Sequence, residues 1–187
     1  PRELSENVKE LQQLILKNDG FLPNVANEDC KDVARLAKFT ASSYITGGEP
    51  SNVADGISRK LGENMHAWVS DGISSGGEVL TMTLDKPREL SELRYTFYSD
   101  FNYPIRVTMA PNRQKQQRIG VPAELVKDYE IVLLKDNREV RKISVEGNHL
   151  RHRIHKFENT PCDAVELRVQ GPVFLGDKGP DLVLPVH

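Results

Sequence analysis

The chain has few cysteines, and their positions limit what they can do. Cys30 and Cys162 are the only two among 187 residues, and they lie far apart in sequence. Neither has a second cysteine at the spacing of a zinc ligand pair, so a zinc site built on thiolates is excluded. Two interpretations stay open: two buried free thiols, or a disulfide that joins the N-terminal segment to a late strand.

Long apolar runs and an excess of one charge are also absent. No segment approaches the roughly 20 apolar residues that a membrane-spanning helix needs, so we expect no membrane span. Lysine and arginine number 25 and aspartate and glutamate number 27, which gives a formal net charge of -2. Because the chain has no overall positive field, nucleic acid is not an expected partner.

The motifs of common catalytic and cofactor sites are missing too. The sequence has no Gly-x-Gly-x-x-Gly after a strand, no phosphate-binding loop, no nucleophile elbow and no His-Glu-x-x-His. Glu63 with Asp71 is the best pair of carboxylates available for acid-base chemistry. We therefore predict that this chain is not an enzyme by itself and that it binds no flavin.

Among the patterns that are present, the first is an amphipathic helix near the N-terminus. Val8, Leu11, Leu14 and Ile15 are spaced to line one helix face, and Ser5 suits the N-cap. The sequence therefore predicts a helix that docks on the rest of the domain.

The remainder of the sequence has the pattern of an all-β domain. Short strand-like runs separated by turn signals are typical of a sandwich. They cover 38–41, 79–84, 93–98, 105–110, 129–135, 138–146, 152–157 and 164–170. Asp136-Asn137 predicts a tight hairpin, and the polar segment 111–122 predicts a long loop. We divide the chain into a helix with its connecting segment, 1–37, and a β-sandwich, 38–187.

The segment 50–71 has a more specific pattern. Asn52-Val53-Ala54-Asp55-Gly56 predicts an Asx-Gly turn, and His66-Ala67-Trp68-Val69-Ser70-Asp71 follows it, before the alternating strand over 79–85. This order resembles the discoidin-like family, whose domains are also called coagulation-factor C-type or galactose-binding-like. The resemblance implies an all-β, jelly-roll β-sandwich, here with an N-terminal amphipathic helix, and favours a periplasmic or secreted location.

The same resemblance implies roles for individual residues. In the family, the turn at Asp55 often holds a structural calcium ion, and the carry-over reaches Asp55, Asn52 and Ser58. Calcium prefers oxygen ligands of this kind. The basic pair Arg59-Lys60 in this segment weakens the case for a cation, so a plain Asx turn is the alternative. Trp68 corresponds to a packing anchor beside the ligand-facing loops.

A narrower resemblance covers most of the chain. Several segments are similar to the C-terminal accessory domain of some bacterial FAD-dependent oxidoreductases. They include Gly20-Phe21-Leu22-Pro23, Asp55-Gly56-Ile57-Ser58-Arg59, Leu93-Arg94-Tyr95-Thr96-Phe97 and Arg153-Ile154-His155-Lys156-Phe157. In that family the flavin-binding motif lies in a separate preceding domain, and nothing in this chain matches it. Because the chain starts at Pro1, without a methionine, we expect it to be a fragment of a larger bacterial protein.

A basic run in the C-terminal third contains three histidines and two arginines. They are His149, Arg151, His152, Arg153 and His155. Side chains alternate along a strand, so His152 faces away from the others and the three imidazoles do not converge on a metal. Two interpretations remain: a solvent-facing basic edge strand, or a contact with an anion or acidic sugar through Arg151 and Arg153.

The sequence supports two hypotheses of function. The first is a non-catalytic, carbohydrate-binding accessory module that binds a glycan through loops at one end of the sandwich. Its aromatic candidates are Tyr44, His66, Phe101 and Tyr103, in or near the loops 44–55, 61–66 and 100–103. The alternative is a structural docking domain at the C-terminus of an FAD-dependent oxidoreductase, with the parent enzyme as its partner.

Overall fold

The computed structural model describes residues 31–58, 64–72, 77–99, 108–115, 117, 120–122, 125–170 and 183–184. The helix predicted over 5–17 lies outside these residues, and so does Cys30. None of the helices among the described residues is long and apolar enough to cross a membrane.

The described residues form seven β-strands and three short helices. The strands are β1 (Lys38–Ala41), β2 (Trp68–Val69), β3 (Glu78–Thr96), β4 (Asp128–Lys135), β5 (Arg138–Val145), β6 (His152–Gln170) and β7 (Val183–Leu184). Ala34–Leu36 and Pro50–Ala54 are 3₁₀ helices, and Pro111–Gln114 is one turn of α-helix.

The strands pair in an antiparallel arrangement throughout. The larger sheet has the order β1-β3-β6-β4-β5, and β2 pairs with β7 in a two-stranded sheet. The predicted all-β class is therefore confirmed, because almost all of the regular structure is strand.

The two longest strands, β3 and β6, form a ribbon that bends. Their register shifts between Thr83 and Arg88 and again between Leu90 and Glu92, which marks irregular pairing of the kind that bends a strand. These shifts divide the ribbon into two halves. In one half β3 begins and β6 ends, and β1 and β4 flank it. In the other half the end of β3 pairs with the start of β6.

The side chain of Tyr129 shows that the two halves face one another. Tyr129 on β4 lies opposite Val169 in the sheet, yet its hydroxyl is 2.9 Å from Nε2 of His155. A straight strand would separate Val169 from His155 by roughly 46 Å, at about 3.3 Å per residue. The ribbon must therefore fold back over itself, and the space between its halves is the core of a β-sandwich.

Alternating residues fill this core. The largest fully buried side chains include Trp68, Phe97, Tyr129, Ile131 and Leu133. The rings of Phe97 and Tyr129 lie 5.0 Å apart at a tilted angle, which is a favourable aromatic geometry. Trp68 therefore belongs to the core, as the sequence predicted.

Some local predictions hold and others do not. The hairpin at Asp136-Asn137 is present, with φ of 52° and 59° at the two turn residues. The segment 111–122 was expected to be a loop, but its start is helical, because Pro111 suits the first helical position and Gln114 Nε2 donates to the Thr108 carbonyl at 3.0 Å. The described part of the strand predicted over 105–110, residues 108–110, carries no strand.

The hypothesis of a basic edge strand stays a prediction, because among the described residues the start of β6, residues 152–156, pairs with β3 alone. The later part of β6, residues 164–170, lies between β3 and β4. Its charged residues alternate with buried ones, so the inward positions supply core contacts and the outward positions remain exposed. Alternation of charge along β6 thus reflects the two faces of the strand.

Candidate functional site

One end of the sandwich is built by the segment 42–58 wrapped around residues 64–72. The indole Nε1 of Trp68 donates to the carbonyl of Ser43 at 2.8 Å, and the amide of Ile45 donates to the carbonyl of Val69 at 3.0 Å. We call this end, made by residues 43–58, 64–71 and 148–153, the loop end. Its attachment to a buried tryptophan gives the loops a rigid base.

The side chain of Asn52 holds the segment 42–58 in place through hydrogen bonds. Its Nδ2 donates to the carbonyls of Gly47 and Ala67 at 3.0 and 3.3 Å, and it lies 3.5 Å from the carboxylate of Glu49. That carboxylate also accepts the amide of Gly47 at 2.9 Å, which lowers the pKa of Glu49. One side-chain amide therefore joins three oxygen acceptors at the start of the 3₁₀ helix.

Asp55 and His66 form a pair across the loop end. Nδ1 of His66 lies 2.6 Å from Oδ2 of Asp55, while Oδ1 of Asp55 accepts the amide of Ile57 at 2.8 Å. His66 has a φ of 51°, in the left-handed region that residues other than glycine seldom adopt. Strained residues of this kind are concentrated at functional sites, so His66 is the strongest candidate on this loop.

The residues expected to bind calcium do not fit that role. Both carboxylate oxygens of Asp55 already accept protein donors, and the Asn52 amide faces oxygens with its nitrogen. The carbonyl of Ser58 accepts the guanidinium of Arg151 at 2.6 Å, which places a positive charge beside it. A calcium site needs several converging oxygens without competing donors, and the described contacts of Asp55, Asn52 and Ser58 do not supply them.

Arg151 joins the loop end to the β ribbon. Besides its contact with Ser58, its carbonyl accepts the amide of Phe97 at 2.8 Å. The side chain is partly buried, and burial lowers the pKa of Arg151, although a guanidinium remains charged in proteins. This contact places Arg151 beside Ser58, three residues after Asp55, whose carboxylate contacts His66.

Arg153 follows Arg151 by two residues, so its side chain lies on the same face of the β ribbon. Its backbone lies opposite Tyr95 of β3, and its side chain lies near Tyr129. Burial raises the pKa of Tyr129, and the Arg153 charge offsets part of that rise. The Tyr129 hydroxyl lies 2.9 Å from Nε2 of His155. Burial and the Arg153 charge both hold the pKa of His155 below its ordinary value.

The other predicted residues have varied positions. Tyr44 is 52% exposed on the loop end, whereas Phe101, Tyr103 and Glu63 lie outside the described residues. The three histidines of the basic run separate as expected. His149 is exposed, His152 is exposed and its ring Nδ1 is 3.0 Å from the Thr96 hydroxyl, and His155 is buried. In the part of the chain that the structure describes, no cluster of metal-ligating side chains occurs.

Two polar residues at this end were not predicted from the sequence. Glu78 is buried, and its carboxylate accepts the hydroxyls of Ser42 and Ser43. Asn148 is also buried, and its Nδ2 donates to the carbonyls of Val126 and Leu150 at 2.8 and 3.0 Å. No local pattern in the sequence shows which distant carbonyls a side-chain amide will reach.

Cys162 is a free, fully buried thiol, and Cys30, the other cysteine of the disulfide considered from sequence, lies outside the described residues. Burial, together with the nearby Asp163 charge, raises the pKa of Cys162 to about 11. A thiol of that kind is unreactive, and its role is packing.

Comparison with known proteins identifies the fold. No protein-family model and no curated protein matches the chain. Among solved structures, the lectin domain of lectinolysin in complex with Lewis B antigen aligns with a TM-score of 0.61 at 14% identity, covering 84% of this chain and 96% of that one. A fucose-binding module of Streptococcus pneumoniae aligns with a TM-score of 0.56 at 14% identity, covering 86% and 92%.

A third structure comes from another organism. The family 32 carbohydrate-binding module of C. perfringens NanJ, in complex with galactose, aligns with a TM-score of 0.53 at 17% identity and covers 82% of this chain and 95% of that one. The fold is a discoidin-like β-sandwich, which confirms the prediction from sequence.

Proposed function

We propose that the chain is a non-catalytic carbohydrate-binding module that binds a glycan at the loop end. The observation that carries this proposal is the similarity of its fold, over more than 80% of its length, to structures described as a lectin domain, a fucose-binding module and a galactose-bound module. Because those structures share only 14–17% identity with this chain, the site must be argued from its own residues.

The loop end has the properties that carbohydrate recognition requires. Tyr44 presents an exposed aromatic side chain suited to the apolar face of a sugar ring. Asp55, His66 and Arg151 supply polar groups held in fixed positions by the contacts described above. Since such groups are already ordered, little conformational entropy is lost when a ligand binds.

In this proposal the chain binds a glycan and catalyses no reaction. Glu63, one of the two carboxylates offered for acid-base chemistry, lies outside the described residues, and Asp71 uses its backbone amide to donate to Ser43. We also infer that the loop end is closed by the side chains of Asn52, His66 and Arg151, without calcium.

A glycan screen followed by calorimetric titration tests the proposal. We expect a monosaccharide to bind with a Kd of about 1 mM, as is usual for a small contact area. Tyr44→Ala should weaken binding at least several-fold without changing stability, because the side chain is exposed. Val140→Ala is the matched control, since Val140 is 44% exposed on β5, away from the loop end.

The docking alternative predicts a different result. A domain that only docks on an FAD-dependent oxidoreductase would bind no glycan, and Tyr44→Ala would leave all titrations unchanged. Chemical-shift mapping would then show no sugar-induced changes at residues 43–58. That outcome would contradict carbohydrate binding and favour docking on the parent enzyme.

A further inference from the structure

Two arginines occupy inward-facing positions where a sandwich normally places apolar side chains. Arg153 lies directly opposite Tyr95 in the pairing of β6 with β3, so the two side chains are on the same face of the ribbon. Because Tyr95 is buried in the core, this is the inner face. Arg151 precedes it by two residues and therefore lies on the same face, beside Phe97. Charged side chains at core-facing positions depart from the usual apolar composition of a core, and such departures are concentrated at functional sites.

Arg153 differs in its partners from Arg94 and Arg168 of the same ribbon. On the outer faces, Arg94 lies 2.5 Å from Glu92 and Arg168 lies 2.6 Å from Glu166. Arg153 has no carboxylate partner among the described residues. Burial raises the pKa of its neighbour Tyr129 and lowers the pKa of His155, and both shifts favour the uncharged form. A partly buried cation without such a partner attracts an anion, because desolvation strengthens the interaction.

We propose that Arg153, with Arg151 beside it, is the anion subsite of the loop end, and that the glycan bound there carries a carboxylate. The inference rests on the proposed function and deepens it. A guanidinium donates two parallel hydrogen bonds to a carboxylate, which a sugar hydroxyl cannot accept in the same way. Tyr44 and the polar groups around Asp55 then contact the neutral part of the ligand.

We expect the affinity of this subsite for an acidic sugar to depend on pH. The groups that face His155 are Arg153 on the same strand, Tyr129 on β4, and Leu93 and Tyr95 on β3. Burial and the Arg153 charge hold the pKa of His155 down, and a bound carboxylate would offset the Arg153 charge and raise that pKa. The complex then binds more protons than the free protein, so affinity for an acidic sugar should increase as pH falls toward the His155 pKa.

Calorimetric titration with matched sugars tests the inference. The ligands are the methyl glycosides of glucuronate, galacturonate and N-acetylneuraminate, each compared with its carboxyl-reduced counterpart. We expect at least one acid to bind about tenfold or more tightly than its reduced form, as charge-assisted hydrogen bonds allow. That preference should shrink with added salt and grow at lower pH.

Variants show whether Arg153 is responsible. Arg153→Gln should abolish the preference for the acid, and Arg153→Lys should retain part of it, because an ammonium keeps the charge but loses the bidentate geometry. Arg168→Gln is the matched control and should change nothing, since Arg168 is an outer-face residue paired with Glu166. Should Arg153→Gln fail to fold, the lysine variant and the pH series carry the test.

Three results would overturn the inference. One is equal affinity for each acid and its reduced form, which leaves carbohydrate binding intact but removes the anion subsite. Another is an acid preference that persists in a folded Arg153→Gln variant. The third is inorganic sulfate competing as well as the acidic sugar, since the site would then be a general anion site. If no sugar of either kind binds, the proposed function fails together with the subsite, which is a distinct result.

Discussion

Trp68 shows how one residue can determine the base of the loop end. The side chain is 0% exposed and belongs to the main core cluster, while its indole nitrogen donates to the Ser43 carbonyl at 2.8 Å. Its apolar surface therefore stabilises the sandwich, and its polar edge fixes where segment 42–58 begins. A tryptophan suits this position because it combines a large apolar body with one donor.

Replacing Trp68 with alanine should destabilise the fold by about 3–5 kcal/mol, because a large buried aromatic is lost. Urea unfolding of the purified variant measures this change. Trp68→Phe should cost less, since it keeps most of the volume and leaves only the Ser43 carbonyl without its donor. A Trp68→Ala variant that loses glycan binding while its stability stays unchanged would contradict a core role.

At the scale of elements, the ribbon of β3 and β6 organises the molecule. Each strand has 19 residues, and each bends to contribute to both layers. The sequence predicted four separate strands in these regions because the bulges interrupt local alternation. Pairing across the ribbon restores continuity, which no local pattern reveals. As a result, the inward face of β6 presents Arg151 and Arg153 at the loop end.

The hairpin between β4 and β5 provides a test at this scale. Asn137 has a φ of 59°, and the preceding Asp136 amide donates to Asp163 at 2.7 Å. Asn137→Gly should stabilise the fold by up to about 1 kcal/mol, and Asn137→Val should destabilise it by about 1–2 kcal/mol, because only the valine is strained at positive φ. Chemical denaturation of both variants measures the difference.

A control for the hairpin is Arg138→Val, at the next position, which does not have a positive φ. Its effect should remain within about 0.5 kcal/mol, as is usual for exposed positions. Equal destabilisation by valine at 137 and 138 would show that turn conformation is not the cause.

For the whole molecule, the protein donors already bonded to Asp55 and to the Ser58 carbonyl lead us to expect stability without calcium. Thermal unfolding should give the same Tm in millimolar calcium and in EDTA. A true calcium site at 100 times its Kd would add about 2.7 kcal/mol and raise Tm by several degrees. An increase of that size in the wild-type chain would contradict our inference.

Asn52→Asp is an informative companion to this measurement. The variant replaces the amide donor with a carboxylate facing the oxygens of Gly47, Ala67 and Glu49. Without a cation these groups repel one another, so the variant should unfold at a lower temperature in EDTA. Added calcium should recover part of the loss, because the cluster then offers only oxygen ligands.

Local chemistry was enough to predict much of the fold. Strand β1, the hairpin at Asp136-Asn137 and the buried Trp68 depend on alternation, turn preference and side-chain size, which neighbouring residues determine. The turn at Asp55-Gly56 and the division of the histidines between two strand faces follow from the same short-range rules. These predictions needed no knowledge of distant contacts.

Tertiary structure alone decided how the loop end is assembled. Arg151 reaches a carbonyl 93 residues away, and the amide of Asn148 reaches one 22 residues away. His155 is buried because the ribbon folds back over β4, and this burial, with the Arg153 charge, lowers its pKa, whereas a basic run by itself would suggest an exposed cation. Sequence thus determined which groups are available, whereas chain folding determined which charges lose water and which atoms meet, because desolvation and hydrogen bonding depend on distance in space.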